Sequence, residues 1–189
     1  MIQNDQVLTG IPAAPGLAHG KTILVKQKEL EVPNFKSENV DAEIKRIHAA
    51  RNKAKIEIID LMESVGERAK QNEADIFGAH NMILDDVTLL EKAEVDIKRG
   101  INAEKAWMDA IEYFAQMMEQ IPDETLSSRA VDIRDVGRRV LGHLLGVEIG
   151  GLQLKEPSVI IGEDLTPSDT ASLDKDLVLA FCTAEGGPT

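Results

Sequence analysis

His80 is the residue that most invites a chemical role. It stands on the apolar face of a helical segment beside Met82 and Ile83, just before Asp85 and Asp86. An imidazole near carboxylates can pass a proton or hold an ion pair, and a packed or surface histidine is the plainer alternative. His19, His48 and His143 are scattered without HExxH or an i, i+4 partner, so a zinc site is not expected. Arg134, Arg138 and Arg139 gather near the carboxyl end of a helical segment, with Arg129 a turn earlier. Basic residues there suit the helix dipole, and a solvated face is the simple reading. Gly20-Lys21-Thr22 imitates the end of a phosphate-binding loop, but position 15 is proline where the first glycine belongs. A run of β-favouring residues follows where a helix would have to open, so no nucleotide cradle is expected. There are no paired carboxylates and no GxSxG elbow. Cys182, the sole cysteine, lies in the apolar run LVLAFCT and reads as a buried small residue.

These residues need a scaffold, and 189 residues that are 43% hydrophobic can fill a core for one large or two small domains. No apolar run approaches the roughly 18 residues of a membrane span, and the start MIQNDQ lacks the pattern of a signal peptide. A cytoplasmic protein is expected. With 33 acidic and 21 basic residues the formal charge is -12, which repels nucleic acid and anionic membranes. A basic protein partner fits better, and plain solubility is the alternative.

The texture changes near residues 37 and 146. Before the first change, a Gly- and Pro-rich stretch runs into a short strand at Thr22 to Val25. Five helices are then expected. The first, from Ser37 to Val65, has an apolar face that only Arg51 interrupts. The second, from Asn72 to Leu84, carries Ile76, Phe77, His80, Ile83 and Leu84 on one face. The third runs from Thr88 to Arg99 with Leu90, Ala93 and Ile97 inward. The fourth opens after Asn102 as N-cap and stops before Pro122. The fifth is read from about Asp123 to Leu145, with Leu126 inward and Gly146 ending it. Connections this short make neighbouring helices antiparallel. Beyond Gly146, Ser158 to Ile161 and Leu177 to Cys182 read as strands, the second buried, with a short helix at LTPSDTASL between them.

The fold class that follows is α+β/α: a discontinuous α/β subdomain from residues 1–36 and 147–189, with an inserted all-α bundle at 37–146. The two ends should share one sheet, because a single N-terminal strand cannot stand alone.

Five segments together resemble the enzyme I family of phosphoenolpyruvate-dependent phosphotransferases. They are GIPAAPGLAHGK, IFGAHNMILDD, SRAVDIRDVGRRVL, DLTPSDTASLD and AEGGPT. Ala14 stands where serine is common in the family. The resemblance implies a phosphohistidine subdomain and a helical subdomain that docks the carrier protein HPr. It places the family's nucleophilic histidine, from a G-G-x-T-S-H segment, two residues beyond Thr189. This stretch is therefore expected to bind HPr but not to transfer phosphate. No cofactor is expected within it; magnesium, phosphoenolpyruvate and homodimerisation are implied for a carboxyl-terminal part of the parent protein. Thr170 is implied as the hydroxyl that orients the histidine, against the simpler role of bonding to its own preceding turn. The implied docking residues are Ile76, His80, Met82, Ile83 and Leu89 on the second and third helices, with Leu126 and Arg129 on the fifth. Glu73, Asp75, Asp85 and Asp86 would form an acidic rim. Gln71 and Asn72 stand where some relatives carry glutamates. Two other readings are a domain of a pyruvate phosphate dikinase or phosphoenolpyruvate synthase, and a non-enzymatic helical interaction module. The helical insertion argues against the first of these.

Overall fold

The computed structural model describes residues 9–25, 29–66, 71–147, 149, 154–163, 165–166, 169–170 and 173–184, with the side chains of 64–66, 71–75 and 124 left aside. In chain order the described elements are β1 (Lys21–Val25), α1 (Val40–Gly66), α2 (Gln71–Asp85), α3 (Val87–Lys98), α4 (Ala103–Glu119), α5 (Glu124–Ser127), α6 (Arg129–Leu145), β2 (Ser158–Gly162) and β3 (Val178–Thr183).

The sheet joins the two ends of the chain. β2 lies between β1 and β3 and is parallel to both, with Thr22 opposite Val159 and Ile160 opposite Phe181. Parallel neighbours cannot be joined by tight turns, so the whole helical block fits inside the β1–β2 crossover. β3 departs from expectation: among the described residues it stands at the edge of the sheet, and Leu179, Phe181 and Cys182 are exposed. Its apolar composition reads as buried only if both faces are covered. In the described sheet Ile160 of the central strand is the apolar side chain fully enclosed.

The helices form the core. Ile47, Ala54 and Ile58 of α1, Phe77 and Leu84 of α2, Ala93 and Ile97 of α3, Trp107 and Ala110 of α4, and Val136 and Val140 of α6 pack into one apolar cluster. Where α4 meets α6, Trp107 Nε1 donates to the Gly137 carbonyl at 2.9 Å. A Cβ on Gly137 would lie 2.6 Å from Ile111 side-chain atoms, so glycine is what lets α4 and α6 approach this closely.

Arg51, the break in the apolar stripe of α1, reaches across to α2. It donates to the Leu84 carbonyl and to Asp85, satisfying groups that the end of α2 leaves open. Asn102 precedes α4 as expected, but its side chain does not cap the helix. It accepts from the Phe35 N–H at 3.1 Å and donates to the Pro33 carbonyl at 2.9 Å. Glu43 of α1 takes over the cap, accepting from the Ala103 N–H at 3.0 Å. Arg46 then bridges Glu43 and Glu104. Burial works against the Glu104 charge, but hydrogen bonds from Asn102, its own N–H and Arg46 hold the carboxyl below the usual range.

The expected fifth helix is two, α5 and α6, parted at Ser128, whose hydroxyl donates back to the Thr125 carbonyl at 2.9 Å. Leu126, read as inward, is consequently exposed. Gly146 ends α6 with φ 68°, the left-handed conformation that glycine adopts without steric cost.

Candidate functional site

The junction of α2 and α3 is set by local rules. Asp86 leaves the helical path, accepts from the Thr88 N–H at 2.7 Å, and so caps α3. Asp85 closes α2 and receives Arg51 at 3.0 Å and Lys55 at 2.6 Å, both from α1. The lysine hydrogen bond, with the lysine's charge and then the arginine's hydrogen bond added to it, outweighs the opposing effect of burial and holds the Asp85 carboxyl below its usual range. Both aspartates expected in an acidic rim thus already have structural partners. Glu73 and Asp75 have side chains outside the described set.

Helical periodicity sorts the implied docking residues into two groups. Met82 is 75% exposed, and Ile76 and Ile83 are half-buried, with Ile83 packed against the core. His80 is 1% exposed and Leu89 4%, so neither is a surface residue. Leu89 lies inside because Leu89, Ala93, Asp96 and Ile97 share one face of α3, which leaves Leu90 at its edge. Val87 was not expected at this site; it is 64% exposed at the start of α3, and its signal in sequence was an apolar residue following an acidic pair. Leu126 is 46% exposed on α5. Arg129 opens α6 and is held to Asp132 at 2.9 Å.

Beneath this surface, His80 faces α6. Its Nε2 is 3.5 Å from Asp132 Oδ1 and its Nδ1 is 4.0 Å from Asp135 Oδ2. Phe77 meets the ring edge-on with centroids 5.6 Å apart. The distances are those of ion pairs, and neither nitrogen makes a hydrogen bond of ordinary geometry. Burial works against the Asp132 charge, but His80 and Arg129 beside it hold its carboxyl below the usual range. The chain Arg129, Asp132, His80 therefore joins two of the implied docking residues through a third that sequence reasoning left without a role. The signal for it was a pair of aspartates three apart, which a helix puts on one face.

Thr170 Oγ1 donates to the Thr166 carbonyl at 3.3 Å, the in-turn bond that was the simpler expectation. Thr166 opens this turn by accepting from the Asp169 N–H at 3.1 Å. Pro167 and the segment Gly186-Gly187-Pro188-Thr189 lie outside the described residues. Among the described residues no group of three or more His, Cys, Asp or Glu side chains is placed to hold a metal ion, and no helix is long and apolar enough to cross a membrane.

Residues 9–129 match the family model described as PEP-utilising enzyme, N-terminal. Among curated relatives, the phosphoenolpyruvate-protein phosphotransferase of Staphylococcus carnosus is 39% identical over 184 residues, covering 96% of this chain and 32% of that protein. The enzyme of the same name from Geobacillus stearothermophilus is 40% identical over 188 residues, covering 98% of this chain and 32% of its own length. The chain thus spans about a third of these relatives. A solution structure of enzyme I superposes with a TM-score of 0.77 at 39% identity, over 93% of this chain and 73% of that one. The N-terminal domain of a nitrogen enzyme I gives 0.66 at 25% identity with the same coverage. A shared family model, extended sequence identity and a common backbone agree: the chain belongs to the N-terminal family of PEP-utilising enzymes, among the enzyme I amino-terminal domains.

Proposed function

We propose that this chain is the amino-terminal part of a cytoplasmic phosphoenolpyruvate-protein phosphotransferase, and that its α2–α3 corner docks the phosphocarrier HPr. The observation that carries the reading is that two apolar side chains are exposed on either side of one helix corner, Met82 near the end of α2 and Val87 at the start of α3, in a chain with formal charge -12. Such side chains supply affinity to a small basic carrier, while the net acidic field speeds its arrival. In this reading residues 1–36 and 147–189 form an α/β unit and 37–146 the docking unit.

In the parent protein a histidine following Thr189 would attack the phosphorus of phosphoenolpyruvate, with cleavage of the bond to the enol oxygen, and then pass the phosphoryl group to a histidine of HPr. Magnesium and the homodimer contact belong to the carboxyl-terminal remainder. Thr170 would turn from the Thr166 carbonyl to orient that histidine. The isolated chain should take no phosphate from phosphoenolpyruvate, magnesium and HPr; acid-labile label on the 189-residue species would show that the nucleophile has been misplaced.

Docking is tested by Met82→Asp. Because Met82 is three-quarters exposed, the change leaves the fold intact while putting charge into the contact centre. We expect at least about thirtyfold weaker HPr binding, on the order of 2 kcal/mol. Adding Ile83→Asp would confuse the result, since Ile83 packs on the core. Unchanged HPr affinity in Met82→Asp would assign the docking face elsewhere.

A further inference from the structure

Arg51 is a charged residue in the apolar stripe of α1, between Ile47 and Ala54, which are both fully buried. Across from it lies the end of α2. That helix has no basic residue in its last turn and finishes on Asp85, so open carbonyls and a carboxylate meet at the negative end of the helix dipole. The chain then turns. In an unbroken helix the Leu84 carbonyl would receive the Thr88 N–H, but that donor goes to Asp86 Oδ1 at 2.7 Å, the bond that caps α3. The cap thus diverts the donor that Leu84 would have had.

Arg51 supplies one from another helix. Its Nε donates to the Leu84 carbonyl and its Nη2 to Asp85 at 3.0 Å, so one planar guanidinium holds the last two residues of α2. Lys55, one turn further along α1, donates to the same carboxylate at 2.6 Å. Arg51 is the less exposed of the two, so water competes least for its bonds. The tied segment lies between Met82 and Val87, the exposed apolar residues on either side of the corner.

We propose that Arg51 is a positioning residue for the α2–α3 corner: its fork replaces the helix bond that the α3 cap removes, fixes the end of α2 on α1, and so sets where Met82 and Val87 stand. The consequence for a partner rests on the docking reading above. The clamp itself does not. It gives Asp85 a task inside the molecule, as acceptor for the α1 cations rather than as a charge offered to a carrier.

Arg51→Lys tests the fork while keeping the formal charge at -12. A lysine ammonium is a point donor without the planar fork that serves carbonyl and carboxylate together. Amide hydrogen exchange of the whole chain should quicken roughly tenfold at Asp86, Val87 and Thr88, while α6 amides keep their protection. Asp85→Asn, at an exposed residue outside the apolar stripe, removes one prong and should quicken the same amides by a smaller factor. Exchange unchanged at the corner in both variants, or raised equally in α6, overturns the clamp.

The docking arm is separate. HPr should bind the Arg51→Lys chain roughly tenfold more weakly through faster dissociation, with the salt dependence of association unaltered because the net charge is the same. In a Met82→Asp background the same substitution should cost much less, since the contact that the corner presents is already lost. Unaltered HPr affinity in Arg51→Lys, or full additivity with Met82→Asp, would refute the positioning role. Absence of HPr binding by the wild-type chain would instead refute the docking reading, and with it the consequence for a partner, while hydrogen exchange still decides the clamp.

Discussion

The helical block and the three-stranded sheet spend their apolar residues differently. Between α1 and α6 the large side chains face one another, and buried polar groups find partners across helices: Glu43 on the α4 amide, Arg46 between two glutamates, Trp107 on the Gly137 carbonyl. In the sheet, Leu24, Leu179 and Phe181 are exposed although their sequence is as apolar as that of any helix. Burial is a property of what lies opposite, and composition alone does not report it. The block should therefore carry most of the stability, and the sheet should tolerate change.

The largest contrast is expected between Trp107→Ala and Phe181→Ala. Emptying the Trp107 site should cost roughly 3–5 kcal/mol, while truncating half-exposed Phe181 should cost under about 1 kcal/mol. Urea unfolding followed by far-ultraviolet circular dichroism would measure both, and equal losses would break the comparison.

Gly137→Ala tests the contact of α4 with α6 within the block. The added methyl would sit 2.6 Å from Ile111 atoms, and overpacking of this kind should cost about 1–3 kcal/mol. Ile111→Val in the same chain should recover part of it, which a double-mutant cycle in urea would show.

Acid should attack the block through Glu104 and Asp132. Both carboxyls are held below their ordinary values, near 4.5 and 3.8 respectively. Their contribution is therefore fully present above those values and is lost as the pH falls through the lower folded-state ones. Glu104→Gln should reduce stability at pH 7 and make the decline below about pH 4.5 shallower. A decline as steep as that of the wild-type chain would show that Glu104 does not drive it.

The smallest effect belongs to the sheet. Cys182 is exposed, so Ellman's reagent should titrate one thiol in the native chain without denaturant and without shifting the unfolding midpoint. Labelling only after unfolding would mean that the β3 face is covered.

The helices were legible because their signals are local. Periodic apolar residues, Gly146 at a helix end and Pro122 after α4 act within a turn or two of themselves, so α1 to α4 fall within a few residues of where the pattern puts them. The pairing of the chain ends was legible by elimination, since a lone strand needs partners. The break at Ser128 was not, because serine and arginine both continue a helix and the deviation is one residue wide.

At the candidate site the sequence located the helices along the chain but not which way each residue faces. Leu89 and Leu90 both satisfy helical spacing with Ala93, and only the position of the neighbouring helices puts Leu89 inside. The sequence by itself determined the periodicity of α2, the apolar character of its inner face and the order of elements along the chain, because these depend on contacts between near neighbours. Only the tertiary structure decided that Glu43 would cap α4 across 60 residues of chain and that β3 would stand at the edge of the described sheet. It likewise brought His80 between two aspartates about fifty residues away, since contacts over such distances depend on where whole helices come to rest.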